Sequence, residues 1–274
     1  MTKYEDYSFL IKGYHQAFLN SNFNDIKSMY QIAENLYDAM YQHYDYCVEK
    51  NNENQQYRIC FLIDQDVLGK LDNAFSLTKE IKLATKIVEL RKQFFALSSR
   101  RVLKNFAFYI EQYKTKKVWD KTAETMESVF HYADIFAISP KLNLMRASMM
   151  PSMGKSYIAN LFVAQSIGNN PNIQILRITY SEDLCISTTR QTAGIINSQA
   201  FREIFPRYKE YSGSNIFKSQ TSYSLCMVDC EDEYNLNSVT REGQSTGKRA
   251  QILIIDDLLK DDTESYAKDL HKKC

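Results

Sequence analysis

Met149-Met150-Pro151-Ser152-Met153-Gly154-Lys155-Ser156 is the stretch on which the reading of this chain turns. An apolar run, Leu142 to Ala147, precedes it. A helical pattern follows from Lys155 to Ile167, with Ile158, Leu161, Phe162 and Gln165 at helical spacing. Strand, tight turn and helix in that order form an anion cradle. The turn points its amides inward, and the start of the helix adds unpaired N–H groups and the positive end of its dipole. In such a loop Gly154 lets the backbone approach the ligand, Lys155 reaches the β- and γ-phosphates, and Ser156 offers its hydroxyl to Mg²⁺. Met150, Pro151, Ser152 and Met153 are then the remaining nucleotide-binding residues of the turn. The pattern G-x-x-x-x-G-K-[ST] is complete except at its first glycine, which here is Met149. Taken alone, Gly-Lys-Ser is also an ordinary helix start with a solvated lysine.

About a hundred residues further on stands Gln251-Ile252-Leu253-Ile254-Ile255-Asp256-Asp257. Four apolar residues without a polar break predict a strand buried on both faces, as at the centre of a parallel sheet. Ligands of such sheets bind beyond the carboxyl ends of the strands. The two carboxylates and the loop are therefore expected at the same end of the sheet. Asp256 is expected to hold Mg²⁺, directly or through water. Asp257 is expected to polarise the attacking water as general base. An isolated Asp-Asp after a strand would be a turn or a helix cap. It is the pairing with Lys155, in this order, that predicts a nucleoside-triphosphate hydrolase.

Working outward, the chain changes character near residue 120. All four prolines (140, 151, 171 and 206) and the glycines 154, 168, 194, 213, 243 and 247 follow that point. There, strand-like runs at Ile173–Tyr180, Tyr223–Val228, Leu236–Thr240 and Ala250–Ile255 alternate with helical ones, as at Asp183–Asn197. Alternation of this kind predicts an α/β fold with a mainly parallel sheet over residues 121–274. Residues 1–120 lack proline and read as an all-helical N-terminal region. In Phe23–Glu49, for example, Ile26, Met29, Tyr30, Ala33, Leu36, Tyr37, Met40 and Tyr44 recur at spacings of three and four. Asn51 to Gln56 reads as a polar break.

Composition excludes several classes. The chain has 274 residues, 44% hydrophobic and 24% charged, so it is neither membrane-like nor disordered. A net charge of +1 leaves nucleic-acid binding to a local patch. No apolar run spans a bilayer, and the start MTKYEDYSFL lacks the layout of a secretory signal, so a cytoplasmic protein is expected. The six cysteines (47, 60, 185, 226, 230 and 274) are scattered; Cys226 and Cys230 have no second ligand pair, and reduced structural thiols are expected. Between Arg100 and Trp119, Arg100, Arg101, Lys104, Lys114, Lys116 and Lys117 interleave with Phe106, Phe108, Tyr109 and Tyr113. That mixture suits a nucleic-acid surface. The plainer reading, preferred here, is a helix with a basic solvated face and a packed aromatic one.

Four segments together resemble the ATPase domain of phage terminase large subunits, the DNA-packaging motors of tailed viruses. Met150 to Ser156 is similar to the family's loop, in which proline commonly precedes Gly-Lys-Ser. Thr179-Tyr180-Ser181-Glu182-Asp183-Leu184 is similar to its Tyr-Ser segment between strand and helix. Ser245-Thr246-Gly247-Lys248-Arg249-Ala250 resembles the Thr-Gly turn before the acidic strand. Ile255 to Asp262 resembles the Asp-Asp-Pro-x-Lys continuation, with Leu258 in place of proline. The likeness covers about residues 135 to 270 and says nothing clear of residues 1–120.

The resemblance implies a P-loop NTPase core of the ASCE/RecA-like kind, with ATP and Mg²⁺ as cofactors and duplex DNA as the track. It also implies a portal protein and a small terminase subunit as partners, a homo-oligomeric ring, and action in the host cytoplasm at the procapsid portal. An arginine sensing the γ-phosphate is part of the family's scheme; Arg190 is the first candidate and Arg146 the second. The family's ribonuclease-H-like nuclease has no room before Cys274, so the chain is expected to be a fragment, a split gene product or a truncated form without nuclease activity. Two alternatives stay open: another P-loop DNA translocase or helicase, and a non-hydrolysing nucleotide-binding scaffold whose loop has decayed at Met149.

Overall fold

The computed structural model describes residues 3–115, 117–119, 123–139, 141–142, 144–149, 153–211, 216–218, 221–225, 234–243 and 250–257. The chain divides into two compact units, Met1–Arg146 and Ala147–Cys274.

Every regular element among the first unit's described residues is helical. Its helices are α1 (Lys3–Asn20), α2 (Ile26–Glu49), α3 (Glu53–Leu62), α4 (Leu68–Leu77), α5 (Ile81–Ser99), α6 (Leu103–Glu111) and α7 (Ala123–Ile138). Short polar side chains start two of them. Asp25 accepts from the Ser28 amide ahead of α2, and Asn52 accepts from the Gln55 amide ahead of α3. The predicted polar break is thus partly the first turn of α3. A π-helical turn, Ile63–Val67, joins α3 to α4. The inward faces of α2, α4 and α5 meet in a core that includes Met29, Leu36, Met40, Leu71 and Phe94. Lys70 closes the end of α1, donating to the carbonyls of Phe18, Leu19 and Ser21.

Within the basic and aromatic stretch, several residues face inward. The Arg100 guanidinium lies over the rings of Tyr41 and Tyr44 at 5.2 and 5.0 Å. Arg101 donates to the side chains of Gln56 and Glu53. Phe106, Tyr109 and Trp119 are buried, with Trp119 edge-on to Phe130 at 5.2 Å. Phe106, Tyr109 and Trp119 pack as the plainer reading expects, whereas Arg100 and Arg101 face inward rather than to solvent, and the stretch spans the break between α5 and α6.

The second unit contains α8 (Lys155–Asn169), β1 (Ile175–Thr179), α9 (Glu182–Ile196), α10 (Gln199–Ile204), a 3₁₀ turn (Pro206–Tyr211), β2 (Ile216–Lys218), β3 (Ser222–Leu225), β4 (Leu236–Thr240) and β5 (Ile252–Ile255). The five strands form one sheet in the order β2-β3-β4-β1-β5. β1 pairs in parallel with β4 and with β5, while β2–β3 and β3–β4 are antiparallel. The sheet is therefore mixed, with a three-strand parallel part, rather than mainly parallel. β2 and β3 run antiparallel because their short connection, residues 219–221, allows only a hairpin. Ser181 starts α9, its hydroxyl accepting from the Leu184 amide, which explains why the Tyr-Ser segment opens a helix.

Two expectations are corrected. The Leu142–Ala147 run is not a strand; its described residues carry no regular structure, and Leu142 and Leu144 are exposed. A strand needs a neighbour for its backbone groups, none of the described strands pairs with this run, and Arg146 interrupts its apolar pattern. Nor is Ile252–Ile255 a central strand. β5 lies at the sheet edge, with Leu253 55% and Ile255 58% exposed. Among the described strands it has a neighbour on one side only, without the second flank that its apolar composition suggests. No described helix is long and apolar enough to cross a membrane.

Candidate functional site

The site is built where α8 starts and β5 ends. Gly154 precedes α8 with φ of 85°, a left-handed conformation that a side chain disfavours, so glycine is required for the chain to turn into the helix here. That turn places Lys155 at the first helical position and half-exposed Ser156 at the second. At the far side, the Asp256 amide donates to Ile178 O and the Tyr180 amide to Asp257 O, each at 3.0 Å. The Arg241 amide donates to Thr179 O at 2.9 Å. The acidic turn and the turn after β4 are thereby tied to the carboxyl end of β1.

Lys155 and Asp256 come together, with Lys155 Nζ 3.7 Å from Asp256 Oδ1. The lysine side chain is 43% exposed, whereas Asp256 is buried. Asp257 is exposed and has φ of 53°, unusual for a residue with a side chain and tolerated best by Asn, Asp and Gly. Met153 is half-buried just ahead of Gly154. Met150, Pro151 and Ser152 lie outside the described residues, as do residues 245–249 of the Thr-Gly turn, residues 258–262 after the acidic pair, and Cys226, Cys230 and Cys274. Arg190 is exposed on α9, and among the described residues it has no ion pair with the acidic pair. Arg146 is exposed and belongs to the first unit.

Sequence reasoning missed two members of the site. Arg177, in the middle of β1, is wholly buried. One of its terminal nitrogens donates to Asn160 Oδ1 on α8, and the other, Nη2, is 3.9 Å from Asp256 Oδ2. Among the described residues its Nε and Nη2 have no hydrogen-bond partner. Burial holds the guanidinium below its ordinary pKa, with the Asp256 carboxylate opposing the shift. Asn160 also donates to Gln191 Oε1 at 2.8 Å and accepts from Thr192 Oγ1 at 3.4 Å. The available signal was a lone arginine inside the strand-like Ile175-Leu176-Arg177-Ile178-Thr179, matched by an asparagine on the apolar face of the next helix upstream. A charge inside a buried strand calls for a partner.

Two cations, a buried carboxylate and a helix start thus converge. The donor set suits Mg²⁺ held jointly with phosphate: Asp256 and Ser156 supply hard oxygens, and this ion takes one or two protein oxygens, with phosphate and water completing its shell. It does not suit a metal held by protein alone, since no group of three or more His, Cys, Asp or Glu side chains stands together among the described residues. No protein-family model, no curated protein and no solved structure matches the chain.

Proposed function

We propose that the second unit binds and hydrolyses ATP as the ATPase part of a viral DNA-packaging motor of the terminase large-subunit kind. The observation that carries the nucleotide reading is the approach of Lys155, at the start of a helix behind a left-handed glycine, to Asp256 at the end of a parallel strand. Lys155 holds the terminal phosphates, and the first amides of α8 hold them from behind. Ser156 and Asp256 hold Mg²⁺, which when bound neutralises charge on the phosphate oxygens. Asp257, exposed beside Asp256, accepts the proton of the attacking water.

The track and partners rest on the resemblance of four segments: duplex DNA gripped by its backbone, a ring of copies, a portal protein and a small subunit. The exposed Arg190 is proposed as the arginine that meets phosphate, in its own or a neighbouring copy. A second reading, a nucleotide-binding module without turnover, draws on the irregular backbone before the loop, where a phosphate-binding fold would place a strand. Phosphate release by wild type and by Lys155→Ala, with and without duplex DNA, tests both. Turnover that is stimulated by DNA and lost in Lys155→Ala is expected. Equal turnover in the two proteins sinks the motor reading, and binding without turnover selects the module.

A further inference from the structure

Asp256 is shared between two cations, one nearest each of its carboxylate oxygens. Oδ1 is 3.7 Å from Nζ of the part-exposed Lys155, and Oδ2 is 3.9 Å from Nη2 of Arg177, which is buried against α8. Both distances are too long for a good hydrogen bond, so each cation acts on the carboxylate by charge rather than by a directed bond. Arg177 cannot leave. It is 0% exposed, on the strand between β4 and β5, and is bonded to Asn160 five residues beyond Lys155. Lys155 can leave, since its side chain is 43% exposed. The two cations are therefore unequal: one is a fixed inner counter-ion and the other a movable outer one.

We infer that Arg177 is a positioning residue for the nucleotide site, holding Asp256 from within so that Lys155 is free to leave the carboxylate for phosphate. This rests on the ATP reading given above. A carboxylate buried with a single counter-ion holds that counter-ion tightly, because nothing else offsets its desolvation. With Arg177 in place the carboxylate keeps a partner when Lys155 swings outward. Without Arg177, Lys155 becomes its only cationic partner among the described residues, the pair closes, and the lysine is withdrawn from phosphate. Asn160 fixes the guanidinium, so the same helix that carries Lys155 also anchors the group that releases it.

The test is binding of the fluorescent analogue TNP-ATP in EDTA, which reads Lys155 and the helix start without metal or turnover. Wild type, Arg177→Met, Asp256→Asn and the double variant are compared, with circular dichroism and thermal melting as checks of folding. Arg177→Met is expected to bind about tenfold more weakly than wild type, and this loss is expected to vanish in the Asp256→Asn background, where no carboxylate captures Lys155. Arg177→Lys, which keeps an inner cation and provides the answer should Arg177→Met not fold, is expected to stay within about threefold of wild type. Unchanged affinity in Arg177→Met, an equal loss in both backgrounds, or a tenfold loss in a folded Arg177→Lys overturns the positioning role while the ATP reading stands. Absence of binding by wild type overturns the ATP reading and the positioning role together.

Discussion

Asn160 Oδ1, on the inward side of α8, accepts a hydrogen bond from the buried Arg177 guanidinium of β1. The same side chain meets Gln191 and Thr192 of α9, so one amide joins two helices to the central strand. Asn160→Leu removes the acceptor of a buried cation and is expected to cost about 3 kcal/mol, read as a lower urea midpoint with unchanged slope. Asn160→Asp keeps the acceptor and is expected to lose less. Equal stability of wild type and Asn160→Leu would contradict the structural weight given to this bond.

Asp257 adopts positive φ at the end of β5. Asparagine tolerates that conformation, so Asp257→Asn is expected to keep fold and nucleotide affinity while ATP turnover falls at least about a hundredfold. Asp257→Val places a branched side chain at the same φ and is expected to cost about 1–2 kcal/mol in addition. Full turnover in Asp257→Asn would remove this residue from the chemistry.

Gly168 lies against the ring of Phe205, and a Cβ there would come within 2.3 to 2.7 Å of three ring atoms. The ring is itself buried beside Phe201 at 4.9 Å, so it has little room to retreat. Gly168→Ala is expected to destabilise the second unit by about 1–3 kcal/mol. Phe205→Leu in the same chain is expected to recover part of that loss, measured by thermal melting of the single and double variants.

Asp134 accepts from the Leu103 amide at the start of α6, and burial pushes its carboxyl up to about 8, with Asp64 adding to the shift and the amide opposing it. A folded pKa above the ordinary 3.8 means that the folded state favours the protonated form. That stability is complete below the unfolded pKa and is lost as pH rises toward about 8, with a slope of at most about 1.4 kcal/mol per pH unit. Asp134→Asn keeps an acceptor for Leu103 and cannot ionise. Its melting temperature is expected to match wild type near pH 4 and to exceed it near pH 8, to the extent set by this linkage. A wild type that gains on the variant as pH rises would reverse the sign.

Periodicity and start signals made much of the second unit legible. The pattern predicts a helix from Lys155, and α8 begins there; the apolar run Leu236–Thr240 is β4 residue for residue. Local preferences decide such elements, and Ser181 and Gly154 mark their starts. What the pattern leaves unread depends on neighbours. The composition of Ile252–Ile255 says that the strand is apolar, and only the sheet says that it has a single neighbour among the described strands. The full burial of Arg177 is likewise a property of the assembled sheet and the helix over it, not of its own strand. The Lys155–Asp256 approach is legible as an order of motifs along the chain, whereas the inner cation behind Asp256 depends on a contact between residues 79 apart in sequence.

The carboxyl end of β1 carries more than its own residues. Ile178, Thr179 and Tyr180 hold the backbone of Asp256, Arg241 and Asp257 in turn. Loops that bind ligands ordinarily open at little free-energy cost, ahead of the body that carries them. Here the acidic turn is fastened on both sides of Asp256 to the strand that also pairs with β4 and β5. Amide exchange at Asp256 and Tyr180 should therefore report the opening of the sheet itself, with the acidic turn coming apart as the parallel strands separate.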